Sequence, residues 1–114
     1  MPSLSITTNA SLAADSEATL AAAASKSLAA GLGKPEAYVM VSVHARTTLR
    51  FAASEEPAAF LEVQSIGLPR DLNAVAQALT DLVSQHTHVP ADRIYITFAD
   101  IPAARWAHGG STFA

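Results

Sequence analysis

Cysteine is absent from the 114 residues, which excludes a disulfide framework, a thiolate metal site and a cysteine nucleophile. Neither sign of charge is in large excess. Seven basic and ten acidic side chains leave a formal net charge of −3, so the chain carries neither a polybasic nucleic-acid surface nor an acidic tail. No apolar run is long enough to span a bilayer, because Lys26 and several serines interrupt the alanine-rich stretch from Ala18 to Ala30. The first residues also lack the basic-then-apolar pattern of a secretory signal. No nucleic-acid or membrane partner is expected, and the expected localisation is cytoplasmic, with leaderless secretion as the alternative. Bulky apolar side chains are few as well: half of the chain is hydrophobic, but 25 of those residues are alanine and leucine, isoleucine, valine and phenylalanine together supply 27. A compact monomer of this mass would expose roughly 5,900 Å², about a third of the unfolded surface. Burying more requires a partner.

What is present is a repeated pattern. Ser3-Leu4-Ser5-Ile6-Thr7-Thr8 alternates small polar with apolar residues, as a strand with Leu4 and Ile6 on one face does. Leu20, Ala23, Ala24, Ser27, Leu28 and Gly31 then recur at helical spacing, with Asp15, Ser16 and Glu17 near the start and Gly31, Gly33 and Pro35 at the end. A second strand is predicted from Tyr38 to His44. Adding 55 to the numbering carries Leu20, Ala24, Ser27 and Leu28 onto Val75, Leu79, Leu82 and Val83, and Pro35 onto Pro90. Val39, Val41 and Val43 become Ile94, Ile96 and Phe98, and the opening strand maps onto Ala59–Val63. Each half is a strand, a helix and a strand, a long connection that suits a parallel pair with a right-handed crossover. The expected fold is therefore one α/β (α+β) domain spanning residues 1–114. Its repeats lie at about 2–44 and 58–99, and a four-stranded mixed sheet carries two helices on one face.

The opposite sheet face is then uncovered and should carry Met40, Ser42, Phe60, Gln64, Ile66, Tyr95 and Thr97. A set with large apolar groups favours a homo-oligomer over a solvated face. His86 and His88 fall in an expected loop, while His44 and His108 are remote in sequence, so no zinc-ligand spacing occurs and no metal is expected.

The chain begins Met1-Pro2. By itself that is an ordinary terminus, yet removal of Met1 leaves a secondary amine, and burial or a neighbouring cation lowers an amine's pKa toward neutrality. Lys34, at a turn, is a candidate anion partner or a plain complement to the helix dipole. Ser65-Ile66-Gly67 offers backbone N–H groups at a strand end.

Pro2 after the initiator, Gly33-Lys34-Pro35, Ser54-Glu55-Glu56-Pro57, Ser65-Ile66-Gly67, Pro90-Ala91-Asp92-Arg93-Ile94-Tyr95-Ile96 and the final Ser111-Thr112-Phe113-Ala114 occur in this order along nearly the whole chain. Together they resemble the macrophage migration inhibitory factor family of the tautomerase superfamily. The resemblance implies a homotrimer whose three sheets enclose a central barrel, with sites at subunit boundaries and no cofactor. It implies Pro2 as the base for keto–enol tautomerisation of phenylpyruvate-type aromatic keto acids or a dopachrome-type quinone. Lys34 and the Ile66 N–H, in the turn that begins at Ser65, would hold the carboxylate or enolate oxygen. Tyr38 and Phe113 would wall the aromatic ring, and Tyr95 would come from the neighbouring subunit.

The departures from the family pattern bear on specificity. Thr97 stands where mammalian relatives carry asparagine at the pocket floor, and His108 stands for the pocket-edge tryptophan, whose lid role Trp106 could take over. Ala58-Ala59-Phe60-Leu61 replaces a Cys-x-x-Cys segment, so thiol–disulfide chemistry is excluded. Two other readings stay open: a cytokine-like or other binding protein with a weak or vestigial pocket, and a superfamily branch performing hydration, dehalogenation or decarboxylation. The latter needs acidic or arginine partners in the pocket, for which Arg46 and Arg105 are the unplaced candidates.

Overall fold

In the computed structural model, which describes residues 1–114, the element order is β1 (Pro2–Thr8), α1 (Ala14–Leu32), β2 (Met40–His44), β3 (Ala59–Ser65), α2 (Asn73–Thr87), β4 (Ile94–Asp100), β5 (Ala107–His108) and β6 (Ser111–Thr112). The first four strands form one sheet in the order β2-β1-β3-β4. β1 runs parallel to β2 and antiparallel to β3, and β3 runs parallel to β4. Each half is thus a strand–helix–strand unit, and the central antiparallel pair relates the halves by an approximate twofold axis near the Ser5↔Glu62 pair.

Alternation in β1 and β3 decides which face is buried. Leu4, Ile6, Leu61 and Val63 are essentially inaccessible and pack against Leu20, Ala24 and Leu28 of α1 and Val75, Leu79 and Val83 of α2. Val41, Val43, Ile94, Ile96 and Phe98, on the outer strands, are only partly buried against this core. The scarcity of bulky side chains is met by close approach: a Cβ on Gly31 would stand 3.2 Å from Val75 Cγ2. Gly31 therefore lies inside α1 and gives α2 room, rather than ending the helix as the spacing predicts. Only 19 of 114 residues are buried and the surface is 6535 Å², above the ~5,900 Å² expected of a compact monomer.

The other sheet face is open, and more polar than expected. Met40, Ser42, Phe60, Gln64, Tyr95 and Thr97 share it by register, but so do Ser3, Ser5, Thr7 and Glu62. Small hydroxyls occupy its centre because the apolar residues of β1 all have the opposite parity. Ile66 is not on this face; it lies just beyond β3.

Three further boundaries differ from expectation. Pro35 starts a 3₁₀ turn over Glu36–Tyr38, closed by Tyr38 N–H to Pro35 C=O at 3.1 Å, so β2 begins at Met40 and Tyr38 is not in a strand. Its counterpart in the second half is the 3₁₀ turn Ala91–Arg93 after Pro90. His86 lies in α2 and His88 caps it. Finally, β5 and β6 form a short exposed hairpin around Gly109 and Gly110, both at positive φ (59° and 94°), the backbone that a two-residue hairpin turn demands.

The two helices end alike, on a left-handed residue: Gly33 at φ 64° and His88 at φ 63°. Glycine tolerates this backbone at no steric cost, whereas histidine carries a Cβ penalty. His88→Gly is expected to raise stability by about 0.5 kcal/mol and Gly33→Ala to lower it by about 1 kcal/mol. Thermal melts at fixed protein concentration check both; equal effects of the same sign would contradict the cap geometry.

Candidate active site

Three segments converge at one end of the sheet. Pro2 opens β1, where the lack of an N–H is harmless, and its ring is fully buried. The 3₁₀ turn after α1 brings Tyr38 and the start of β2 alongside, and the segment after β4 brings Trp106 and His108. Together they surround a pocket of about 400 Å³ lined by Met1, Pro2, Tyr38, Met40, Trp106 and His108, with Ser3, Ala37, Val39 and Ala107 completing a mostly apolar wall. The cleft of about 160 Å³ among Asp15, Ser16, Thr19 and His86 has no hydrophobic lining residue, which makes it a poor container for an organic ligand.

The polar groups at the mouth are held by a short chain of hydrogen bonds. Ile66 N–H donates to the Met1 carbonyl at 3.2 Å. Lys34 Nζ, delivered by the left-handed Gly33 and the turn at Pro35, donates to the Ile66 carbonyl at 2.7 Å. Gly67, at φ 85°, turns the chain away, and its N–H donates to Asp100 Oδ1 at 2.9 Å. Ile101 N–H closes the same corner on the Ser65 carbonyl at 2.8 Å. The α-amino group of Met1 is held below its ordinary pKa of 8.0, first by burial and second by the Lys34 ammonium. The start of the chain, a fixed cation and a backbone N–H thus meet beside an apolar pocket. That set can exchange a proton with a carbon acid while neutralising an oxyanion.

The remaining candidates fall into two groups. Tyr38 is 55% exposed at the rim, and Phe113 does not line the pocket but stacks on His108, which does, at 6.2 Å between ring centroids. The Phe113 N–H is fixed on the carbonyls of Ala103 and Trp106. The Ser65 side chain is fully buried with no hydrogen-bond partner, and neither Ser65 nor Ile66 is among the residues that line the pocket. Tyr95 and Thr97, by contrast, are not brought to Pro2. Register places Asp100 beside Ser65 and Ser65 beside Pro2, which leaves Tyr95 roughly 16 Å further along β4. Tyr95 is 62% exposed there, edge-on to Phe51. Arg46 is paired with Glu17 at 3.1 Å and Arg105 lies in a 3₁₀ turn; neither lines the pocket.

Met40 and Asp100 are the participants that sequence reasoning missed. Met40 lies on the open face by parity, as expected, but as the first residue of an edge strand it also reaches the pocket rim. Nothing in the linear spacing of Asp100 and Gly67 signals their bond across 33 residues.

The family model of macrophage migration inhibitory factor matches residues 1–114. A homologue of that factor from Brugia malayi is 40% identical over 84 residues, covering 72% of this chain and 73% of the relative. The Rattus norvegicus factor is 34% identical over 85 residues, covering 72% and 73%. Among solved structures, the homologue from Prochlorococcus marinus superposes with a TM-score of 0.93 at 37% identity, covering 98% of this chain and 99% of that one. The factor from Toxoplasma gondii gives 0.90 at 36% identity, covering 97% and 99%.

Removing the acceptor at the Gly67 turn, Asp100→Ala, should loosen the corner that holds Ile66 without unfolding the protein, because the lost bond is exposed and worth about 1 kcal/mol. Amide exchange at Gly67 is expected to accelerate about fivefold, with the β1 and β3 core amides unchanged. Unchanged Gly67 exchange would show that the turn is held by other means.

Proposed function

The chain belongs to the macrophage migration inhibitory factor family, of the tautomerase superfamily, and from that premise we propose that it is a keto–enol tautomerase of phenylpyruvate-type aromatic 2-keto acids. Pro2, freed by removal of Met1, is its base and acid. The observation that carries this reading is the bond from the Ile66 N–H to the Met1 carbonyl. An oxygen already occupies that donor beside Lys34, and excising Met1 both liberates the Pro2 nitrogen and vacates the donor for a substrate oxygen.

The chemistry then follows from the corner's charges. Neutral Pro2 takes the proton of the enol hydroxyl and returns it to the adjacent carbon, so the enol becomes the keto acid with no net proton gained or lost; the reverse order gives the reverse reaction. Lys34 and the Ile66 N–H meet the negative oxygen that develops between the two transfers. The apolar walls exclude water and strengthen both interactions. Lys34 also disfavours protonation of the amine by like-charge repulsion. No step calls for a metal or a cofactor.

The same reading includes a homotrimer. It is supported by the incomplete burial, the open sheet face and the separation between Tyr95 and Pro2 within one chain: a neighbouring copy can bring Tyr95 to the pocket where its own chain cannot. Tyr38, Trp106 and Phe113 would then flank the aromatic ring, the backbone of Ser65 and Ile66 would face its carboxylate, and Thr97 would contribute a smaller polar group than asparagine.

Pro2→Gly is expected to lower kcat/KM for phenylpyruvate tautomerisation by about a hundredfold or more, the usual worth of a positioned general base; isomerisation at the wild-type rate would remove Pro2 from the mechanism. Intact mass must first establish that Met1 is gone.

The rate of the mature protein should fall tenfold per pH unit on the acid side, as the amine takes up a proton and ceases to be a base. Lys34→Ala should move that limb to higher pH, since the repulsion that lowers the amine's pKa is lost. It should also raise KM about tenfold, the loss of a hydrogen bond to a charged group. A flat acid limb in the wild type would point to another base.

A further inference from the structure

The loop between β2 and β3 is more heavily restrained than a connection of its kind requires, and the restraints converge on Tyr95. Phe51 and Ser54 exchange backbone hydrogen bonds at 2.9 and 3.0 Å around a tight turn. Its two central residues, Ala52 and Ala53, are held at φ 52° and 59°, a left-handed backbone that costs alanine energy at each position. One side chain gathers the loop. Arg93 Nε donates to the Pro57 carbonyl at 2.9 Å, and Nη2 donates to the carbonyls of Phe51 at 3.1 Å, Ser54 at 3.4 Å and Glu56 at 3.0 Å. The guanidinium carbon also lies 5.1 Å from the centroid of the Phe51 ring, within cation–π range. The Phe51 ring in turn meets Tyr95 edge-on, with centroids 4.7 Å apart and planes at 69°, a favoured aromatic geometry.

Arg93 and Tyr95 are two apart on the chain, the first in the 3₁₀ turn and the second in β4. The loop therefore bridges from the base of Tyr95 to its exposed ring. An isolated tyrosine that projects 62% of its surface into solvent would otherwise sample several side-chain rotamers. We propose that Arg93 and Phe51 are positioning residues: Arg93 fixes the loop, the loop fixes the Phe51 ring, and that ring holds Tyr95 in the single orientation in which it enters the pocket of a neighbouring copy. This rests on the shared-site reading above and adds to it the device that pre-orders the donated residue. Holding Tyr95 before association removes the rotamer entropy that would otherwise be lost each time substrate binds, so the effect belongs to KM rather than kcat.

The test is a double-mutant cycle on the mature protein, with phenylpyruvate kinetics, sedimentation to monitor assembly and aromatic NMR of Tyr95, one of only two tyrosines. Phe51→Leu keeps an apolar side chain but removes the ring edge. It should raise KM about fivefold, the equivalent of an aromatic pair worth about 1 kcal/mol, leave kcat within about twofold, and average the Tyr95 ring signals. Phe51→Tyr should restore the wild-type KM. In a Tyr95→Ala background Phe51→Leu should have no further effect. Because Phe51→Leu alone could loosen the loop, Ala52→Gly/Ala53→Gly serves as a second variant: it relieves the backbone strain while leaving the Phe51 ring in place, and should keep the wild-type KM. An equal KM increase from Phe51→Leu with and without Tyr95, or a Tyr95 ring that stays fixed in Phe51→Leu, overturns the positioning role while leaving the shared site standing. A Tyr95→Ala variant with unchanged KM overturns the shared site itself, and the positioning role with it.

Discussion

The central antiparallel ladder between β1 and β3 is the constraint around which this molecule is arranged. β1 and β3 pair over their full length, from Pro2↔Ser65 to Thr8↔Ala59, and the rung beyond Pro2 binds the first residue of the chain to the turn that Lys34 also grips. A strand paired over less of its length would not hold Pro2 opposite Ser65, at the edge of that turn. Here the strand cannot slip by one residue without exchanging Leu4 and Ile6 for Ser3 and Ser5 in the core. The hydrophobic pattern of β1 thereby sets the position of Pro2, the residue proposed as the base.

Much of this was legible in the sequence because it is periodic. The alternation in Ser3–Thr8, the stripe of Leu20, Ala24 and Leu28, and its echo in Val75, Leu79 and Val83 were enough to predict two strand–helix–strand units with both helices on one face, which is what the sheet and core contain. Short-range chemistry was harder to read. Pro35 marked the end of α1, but not that Tyr38 would be pulled into a 3₁₀ turn, since valines on both sides of Met40 continue a strand-like alternation. Gly31 looked like a stop because glycine is a poor helix former; its actual role depends on Val75, 44 residues away, whose γ carbon would stand 3.2 Å from any Cβ added there.

The site divides along the same line. The sequence pointed to Pro2, Lys34 and the Ser65–Gly67 turn through a resemblance, and the corner brings all three together. Asp100 left no mark because a carboxylate bonding a backbone N–H across the sheet has no sequence period. That the Ser65 hydroxyl is buried while the Ile66 N–H meets the Met1 carbonyl also has no sequence signature: both follow from where β3 ends.

The approximate twofold axis gives the protein two equivalent corners, and they have been put to different uses. The repeat that carries Pro35 onto Pro90 also carries Tyr38 onto Arg93 and Met40 onto Tyr95. In the first corner those positions stand around a cavity; in the second the space is filled by a loop packed on Arg93. One half of the duplicated fold keeps a hollow and the other grows a plug. The trimer proposed for this chain would set each plug against the next copy's hollow, a division of labour by which a ring closes from a subunit that is already nearly symmetric within itself.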